Sequence, residues 1–413
     1  MNNLYKYKTK CGLDVIYYQK KDFYKSYCGI GCKFGSANLK YEINNQIYNM
    51  KDGIAHFIEH KLFQMPNGID AYFEFDKLNT QANAYTTQDK TVYFFKTLDS
   101  VYEPLKLLLE MYFTPYFTEE DVNKEKDIII SEINMTCDNI DFAKNYEILK
   151  HTYPNDDYST YLTGSIDSVK SINSEDLSSG YNSFYTPDNS VLTIVSSNNP
   201  NDVFNFIENC LSNLNFSKTE VNKLPIIKSK NVLKPKTMDF KVSQNEVNVI
   251  LRLDNLTNEN SLNIDKLMTI FDNLFSISNK YTNKLLKKKL FENDIDFECT
   301  SFKDSCYAVI SAPSKKGEKF AKEIIRKLNN LSFEELDSEL LDIRLKYIKS
   351  DHIISLDNID YLGDQILSLA LEDMDYFDLI NNINNLNINS LKEIINEINN
   401  CEKTYIIFNS KKS

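Results

Sequence analysis

The sequence predicts an α+β fold made of two related halves, and three observations support this. Near the N-terminus apolar and polar residues alternate, as in half-buried strands, and the spacing becomes helical at Gly53. Three separated segments of the first half align with the second half when residue n is placed on residue n + 215. Between the halves, residues 214–237 are Lys-rich, contain two prolines and lack an amphipathic period. We therefore expect an N-terminal domain (1–213), a linker (214–237) and a homologous C-terminal domain (238–413).

The elements of the first half follow in a simple order. Strands are predicted for "LDVIYYQ" and "YCGIGCKF", and a helix for "HFIEHKLF". Ala84–Phe95 predicts two strands around a polar turn. An amphipathic helix follows in "VYEPLKLLLEMYF", and a longer helix runs from about Glu119 through Met135.

Composition excludes several classes of protein. The net charge of -12 argues against nucleic acid as a partner. An acidic protein can attract basic peptides; the alternative is that the charge only keeps the protein in solution. There is no signal-peptide pattern at the N-terminus and no apolar run of about 18 residues, so a cytoplasmic protein without membrane contact is expected. The eight cysteines are scattered, as in a reduced chain. Cys28 and Cys32 form the one close pair, which is read as core, with a metal or redox pair as the alternative.

The duplication separates chemistry from packing. The segment "TEEDVNKEKDIIISEI" aligns with "FEELDSELLDIRLKYI", "AYTTQDKTVYFF" with "CTSFKDSCYAVI", and "HFIEH" with "FDNLF". Five polar residues of the first copy become apolar or aromatic in the second: His56, Glu59, His60, Glu125 and Glu132 become Phe271, Leu274, Phe275, Leu340 and Tyr347. Because a requirement of the fold would apply to both copies, we expect the polar set to serve chemistry.

The spacing of these residues predicts a zinc site. His56 and His60 are four apart, so both imidazoles project from one helical face and can bind one ion. Glu59 lies on the same edge and can reach a water at the metal. The H-x-x-E-H order is the inverzincin signature. A hydrolytic zinc needs a third protein ligand, and on spacing alone either Glu125 or Glu132, seven apart on one helix, could supply it.

The motifs "GIAHFIEHKLF", "ANAYTT" and "TEEDVNKEKDIIISEI" resemble those of the insulinase, pitrilysin and mitochondrial-processing-peptidase family, and the similarity covers nearly the whole chain. The length resembles bacterial members with one two-domain chain. The resemblance implies two homologous α/β-sandwich domains, each an antiparallel-rich sheet with helices on one side, enclosing a cleft or chamber. It also implies a zinc-dependent endopeptidase that cleaves peptides or unfolded segments, with peptide maturation as one context.

The resemblance also implies roles for individual residues. His56, His60 and Glu132 would bind Zn²⁺, and Glu125 would support the site. Glu59 would be the general base, which takes a proton from water and later passes it to the leaving amine.

An extended substrate would add as a strand beside "QANAYTT", where Asn83, Ala84 and Tyr85 are the substrate-binding residues that the resemblance implies. The alternative is an ordinary half-buried strand with an Asn at a turn.

One departure from the family pattern concerns the second domain. Relatives usually supply an Arg and a Tyr to hold the substrate carbonyl, in a stretch that matches "LLKKKLFENDIDF". Here no Arg is present, Phe297 stands where Tyr is expected, and Lys287 to Lys289 are the remaining stand-ins. This makes a partner subunit plausible, as a homodimer or as a heterodimer with a homologous chain.

Two other functions compete with the peptidase. One is a non-catalytic peptide-binding or scaffolding subunit, but relatives of that kind typically lose ligands, whereas all five polar residues are kept here. The other is a regulator with a structural zinc, which would fill its fourth position with Cys or His, and neither lies near the motif in sequence.

Overall fold

The computed structural model describes residues 3–154, 156–214, 216, 222–224, 233–256 and 260–411. Most of the predicted linker, 214–237, lies outside these residues, so its boundaries stay a prediction. Within the described part of the chain, no helix is both long and apolar enough to cross a membrane.

Strands and helices are numbered in chain order. The strands are β1 (Leu4–Lys8), β2 (Asp14–Gln19), β3 (Ser26–Cys32), β4 (Lys40–Ile43), β5 (Gln46–Asn49), β6 (Gln64–Met65), β7 (Ile69–Asp70), β8 (Gln81–Thr86), β9 (Thr91–Thr97), β10 (Ser190–Ser196), β11 (Asn222–Lys223), β12 (Lys236–Phe240), β13 (Glu246–Arg252), β14 (Asp296–Phe302), β15 (Ser305–Pro313) and β16 (Glu402–Ser410). The helices are α1 (Ile54–Leu62), α2 (Ala71–Lys77), α3 (Tyr102–Phe113), α4 (Glu119–Asp138), α5 (Ile140–Thr152), α6 (Ile166–Ser171), α7 (Ser174–Phe184), α8 (Pro200–Leu211), α9 (Asn260–Phe275), α10 (Lys280–Lys287), α11 (Gly317–Leu328), α12 (Ser338–Ser355), α13 (Ile359–Leu371), α14 (Tyr376–Asn385) and α15 (Leu391–Asn400).

The chain divides into two compact units, and neither is one continuous stretch. Unit 1 contains Met1–Cys137, Asp156–Lys228 and Ile354–Tyr376, and unit 2 contains Asp138–Asn155, Ser229–Ile353 and Phe377–Ser413. Helix α13, from the second half of the sequence, therefore belongs to unit 1, and α5, from the first half, belongs to unit 2.

The main sheets of the two units share one topology. In unit 1 the strand order is β1-β2-β10-β3-β9-β8, and in unit 2 it is β12-β16-β13-β15-β14. Without the extra edge strand β1, the orders correspond strand for strand, with one parallel pair and three antiparallel pairs in each. The hairpins also share a register, since Thr86 pairs with Thr91 and Ser301 with Cys306, each 215 positions later. The predicted α+β fold with two homologous halves is confirmed.

Strand β3 shows how the sheet of unit 1 is covered on both faces. Cys28 and Cys32 are buried in the main hydrophobic core, as the core interpretation of this pair predicts. On the opposite face a Cβ added to Gly29 would lie 2.9 Å from Leu367 of α13, so glycine allows this helix to approach closely. The resemblance implied helices on one side of each sheet; in unit 1 the structure adds α13 on the other side.

Candidate metal centre

The start of α1 is fixed by contacts with the loop before α6. Gly53 precedes the helix with a φ of 84°, and a Cβ at this position would lie 2.4 Å from the carbonyl oxygen of Thr163. This conformation and this lack of space both favour glycine. The Asp52 carboxylate accepts a hydrogen bond from the backbone N–H of Ser165 at 2.8 Å. The helix that carries H-x-x-E-H therefore begins at a defined point.

The apolar face of α1 is buried in the core of unit 1, and this fixes the side of the helix from which His56 and His60 project. Ile54, Phe57, Ile58 and Leu62 are each no more than 3% exposed and belong to the core of unit 1. The two imidazoles lie side by side on another face, with ring centroids 4.5 Å apart. This face is turned towards α4.

Helix α4 places two carboxylates beside these imidazoles, two turns apart on one stripe. The Oε1 atom of Glu132 is 3.6 Å from Nε2 of His56, and its Oε2 atom is 3.4 Å from Nε2 of His60. Ligand atoms of His56, His60 and Glu132 all lie within 4.8 Å of one another, and no second group of this kind occurs in the described part of the chain.

These distances fit a tetrahedral zinc ion. Zinc–ligand bonds of about 2.0–2.2 Å at tetrahedral angles place neighbouring donor atoms roughly 3.3–3.6 Å apart. The separations of 3.6 and 3.4 Å, each to a different Glu132 oxygen, are close to this edge length and longer than good hydrogen bonds. Two imidazoles and one carboxylate also form a known donor set for hydrolytic zinc.

Glu125 occupies a different position from Glu132. Its Oε1 atom lies 3.1 Å from Nδ1 of His60, the ring nitrogen that faces away from Glu132. A carboxylate in this position holds the Nδ1–H of a metal-binding histidine and thereby fixes the tautomer and the ring orientation. The two acids, which sequence spacing alone does not distinguish, therefore contact opposite nitrogens of one imidazole.

The electrostatics of this cluster favour a bound cation. Burial acts to lower the pKa of His60, but its contacts with Glu125 and Glu132 outweigh this and raise the pKa to about 9. Contacts with His56 and His60 hold the pKa of Glu132 well below its usual range. The carboxylates thus stabilise positive charge at the imidazoles, and this charge can be carried either by protons or by a metal ion.

Glu59 lies outside the set of three and has its own partner. The hydroxyl of Thr86, the last residue of β8, donates a hydrogen bond of 2.7 Å to its Oε2 atom. This threonine belongs to the "ANAYTT" motif, and its contact with Glu59 was not predicted from the sequence. The only indication in the sequence was a hydroxyl side chain in the strand segment that follows the H-x-x-E-H motif.

Two further residues beside the motif were missed. Lys61 is fully buried, and burial lowers its pKa. The ring of Tyr72 stacks on Phe63, with centroids 3.8 Å apart, and burial together with the nearby charge of Glu59 raises its pKa to about 12. The only sequence signal for Lys61 is its replacement by Ser276 in the second copy.

The predicted substrate-binding residues lie on β8, which is the edge strand of the sheet among the described residues. The Asn83 side-chain oxygen accepts a hydrogen bond from the backbone N–H of Ala84 at 2.8 Å. The Tyr85 hydroxyl donates to Asp364 of α13 at 2.7 Å, so this side chain points to the sheet face opposite that of Thr86. A peptide added to this edge would meet the backbone of Tyr85 and not its ring.

Unit 2 contains the residues at the positions where the resemblance leads us to expect an Arg and a Tyr. Lys287 ends α10, and Lys287 to Lys289 are exposed. Phe297 of β14 is half-buried and packs against Phe271 and Phe275, with centroids 5.8 and 6.2 Å away. Phe297 therefore contributes to the core of this unit.

Comparison with known proteins points to one family. The family described as "Insulinase (Peptidase family M16)" matches residues 19–165, and the family described as "Peptidase M16 inactive domain" matches residues 171–345. The Bacillus subtilis (strain 168) protein named "Uncharacterized zinc protease YmfH" is 27% identical over 406 residues, which cover 95% of this chain and 93% of that protein. Mitochondrial-processing peptidase subunit beta of Saccharomyces cerevisiae is 29% identical over 167 residues, 38% of this chain and 35% of that one.

A solved structure shows the same fold. The crystal structure of a protein described as an M16-like peptidase from Alicyclobacillus acidocaldarius has a TM-score of 0.83 at 23% identity, and the match covers 98% of this chain and 97% of that one. The two matching M16 families follow each other in order along the sequence and together span most of it. The chain therefore belongs to the insulinase family of peptidases, M16.

Proposed function

We propose that the protein is a zinc-dependent endopeptidase that cleaves peptides or unfolded segments, of the kind that peptide maturation requires. The observation that carries this proposal is the arrangement of His56, His60 and Glu132, whose ligand atoms all lie within 4.8 Å of one another, close enough to bind one zinc ion. Family membership and the printed names of relatives such as the Bacillus subtilis zinc protease support the same activity.

In this proposal each polar residue has one task. His56, His60 and Glu132 hold the metal, and Glu125 holds the Nδ1–H of His60. Zinc, when bound, acts as a Lewis acid and lowers the pKa of a bound water towards about 7.

Glu59 transfers the proton. One carboxylate oxygen is held by Thr86, which leaves the other to accept a proton from the attacking water. As the C–N bond breaks, Glu59 returns this proton to the leaving nitrogen, because an amide anion is a very poor leaving group. General acid–base catalysis of this kind contributes about 10²–10⁴ in rate.

The substrate is proposed to bind as an added strand at the edge of β8, through the backbone of Asn83, Ala84 and Tyr85. The Tyr85–Asp364 hydrogen bond anchors this strand from the other face, and an added strand would take over the Ala84 N–H that now donates to the side chain of Asn83. Backbone pairing selects extended peptides and places few demands on their side chains.

A homologous partner subunit is also part of the proposal. One relative is named as the beta subunit of a processing peptidase, and the second half of this chain lacks the Arg and Tyr of the family's substrate clamp. A heterodimer would bring these two residues from a homologous chain, whereas a homodimer would bring a second copy of Lys287 to Lys289 in their place.

The decisive experiment compares the zinc-loaded protein with Glu59→Gln on denatured casein and on a library of quenched fluorescent peptides. The substitution is expected to reduce kcat by about 10²–10⁴ and to leave one zinc per chain. Glu120→Gln, at an exposed position of α4, is the matched control and should cleave like the parent.

Removal of zinc with a chelator should abolish cleavage, and added zinc should restore it. If Glu59→Gln cleaves as well as the parent, the proposed mechanism is wrong. If the zinc-loaded parent binds peptides but cleaves none, the non-catalytic peptide-binding subunit becomes the better interpretation.

A further inference from the structure

Lys61 is a buried cation directly beside a candidate metal ligand. Its side chain is 0% exposed, although the transfer of an ammonium group from water into a protein interior is strongly unfavourable unless partner groups compensate for the lost hydration. The compensation comes from three oxygens, which belong to the side chain of Gln64, the backbone carbonyl of Asp121 at 3.5 Å and Oε2 of Glu125 at 3.9 Å.

These contacts link Lys61 to the metal centre through Glu125. One carboxylate oxygen of Glu125 faces the ammonium of Lys61, and the other lies 3.1 Å from Nδ1 of His60. The carboxylate therefore bridges a fixed cation and the imidazole. An attraction at one oxygen limits rotation of the carboxylate and so favours the orientation that accepts from His60.

The second copy provides an internal control for this link. At n + 215, His60, Lys61 and Glu125 become Phe275, Ser276 and Leu340. The buried lysine is thus absent from the copy that also lacks its carboxylate and its imidazole. A lysine needed only to fill space beside this helix would be expected in both copies.

We propose that Lys61 is a positioning residue for the metal centre, which orients the Glu125 carboxylate so that His60 presents its Nε2 atom beside Glu132. This inference rests on the proposed function, because it assumes that zinc binds at His56, His60 and Glu132. Lys61 contacts neither substrate nor metal and acts through Glu125.

The test is a double-mutant cycle on zinc affinity, measured on the full chain by competition with a chelating indicator. The variants are Lys61→Met, which keeps the length of the side chain, Glu125→Gln, and the combination of both. Loss of a group that orients a metal ligand typically weakens metal binding 10–100-fold. We expect Glu125→Gln to lie in this range, Lys61→Met to weaken binding about tenfold, and the double variant to bind like Glu125→Gln.

A purely structural role predicts a different pattern. In that case Lys61→Met would lower the thermal midpoint of the metal-free protein without changing the zinc dissociation constant, or its effect would multiply with that of Glu125→Gln. Either result would overturn the proposal. Lys61→Arg, which keeps the positive charge, should recover most of the affinity, whereas Lys124→Met, at an exposed position of α4, should match the parent.

Two further outcomes are informative. If Lys61→Met alone does not fold, the proposal is tested by comparing the zinc affinity of the double variant with that of Glu125→Gln. The double variant lacks both the Lys61 charge and the Glu125 charge, so neither is left without its partner. Equal zinc affinities then support the proposal, and a further tenfold loss contradicts it. If the parent itself binds no zinc, the proposed function has failed; if the parent binds zinc and Lys61→Met binds it equally well, only this inference has failed.

Discussion

The helix pair α1 and α4 of unit 1 corresponds to the pair α9 and α12 of unit 2, but the side chains between the helices differ in polarity. In unit 2, Phe271 and Phe275 are buried and pack against each other and against Phe297, with ring centroids 5.8–6.2 Å apart. An ion pair of 2.6 Å between Asp272 and Arg344 joins α9 to α12. The fold therefore accepts an aromatic cluster where unit 1 has two imidazoles and two carboxylates.

The polar cluster of unit 1 has a cost in stability. Burial of a phenylalanine side chain stabilises a protein by about 1.5–3 kcal/mol, whereas buried charged groups must regain their lost hydration from partners. At the equivalent position, unit 1 lacks the stabilisation from buried phenylalanine rings and instead carries charged groups that have lost hydration. Such a sacrifice of stability is typical of functional sites.

The largest expected effect comes from giving the first copy the aromatic residues of the second. His56→Phe combined with His60→Phe removes two of three ligands, so we expect no zinc binding and no cleavage above background, while the chain still unfolds cooperatively. Zinc content by atomic absorption and thermal unfolding by circular dichroism measure the two effects.

The reciprocal change is the matched control. Phe271→His combined with Phe275→His should lower the thermal midpoint, since buried polar groups without partners cost about 1–3 kcal/mol each, but keep one zinc per chain. One zinc per chain in the His56→Phe, His60→Phe variant would place the metal elsewhere and remove the basis of the comparison.

A smaller difference separates the two carboxylates of α4. Glu132→Gln removes a ligand charge and should weaken zinc binding by more than about 100-fold, whereas Glu125→Gln should weaken it 10–100-fold. Titration with a chelating indicator ranks the two variants. The opposite order would mean that Glu125 is the ligand.

The smallest effect is expected at Thr86. Thr86→Val removes the hydrogen bond to Glu59 but keeps the side-chain shape, and a hydrogen bond to a charged group contributes about 1.5–3 kcal/mol. We therefore expect kcat to fall about tenfold or more at unchanged zinc affinity, with recovery in Thr86→Ser. Ser301→Ala, at the equivalent position of the second copy, should leave kcat unchanged, and an equal loss there would point to a general effect on hairpin stability.

Sequence reasoning reached most of the fold and the main candidate residues because both depend on regular spacing. His56 and His60 share a helical face by period alone, and the constant offset of 215 positions exposed the repeated topology. The spacing could not separate Glu125 from Glu132, because both lie on one stripe of α4. Their difference depends on which nitrogen of His60 each one meets, and this is a property of the packed structure.

Other features were out of reach for a similar reason. The contact between Thr86 and Glu59 depends on how the β8–β9 hairpin packs against α1. The burial of Lys61 depends on how α1 packs against α4. An amphipathic pattern predicts that α13 has an apolar face, but it does not identify the sheet that the helix covers.

The placement of α13 has a consequence for biosynthesis. Lys25, directly before β3, pairs with Asp360 of this helix across 335 residues of sequence, and Lys90, directly before β9, pairs with Glu372 at the end of the helix. At about 5–20 residues per second, a ribosome needs roughly 10–30 s to add the residues between the end of the first half and the end of α13. During this time Val92 and Val191 on the outer sheet face have no helix to cover them. All six strands of this sheet lie before residue 197, so the sheet can form early, but its outer apolar face is covered only after α13 has been made.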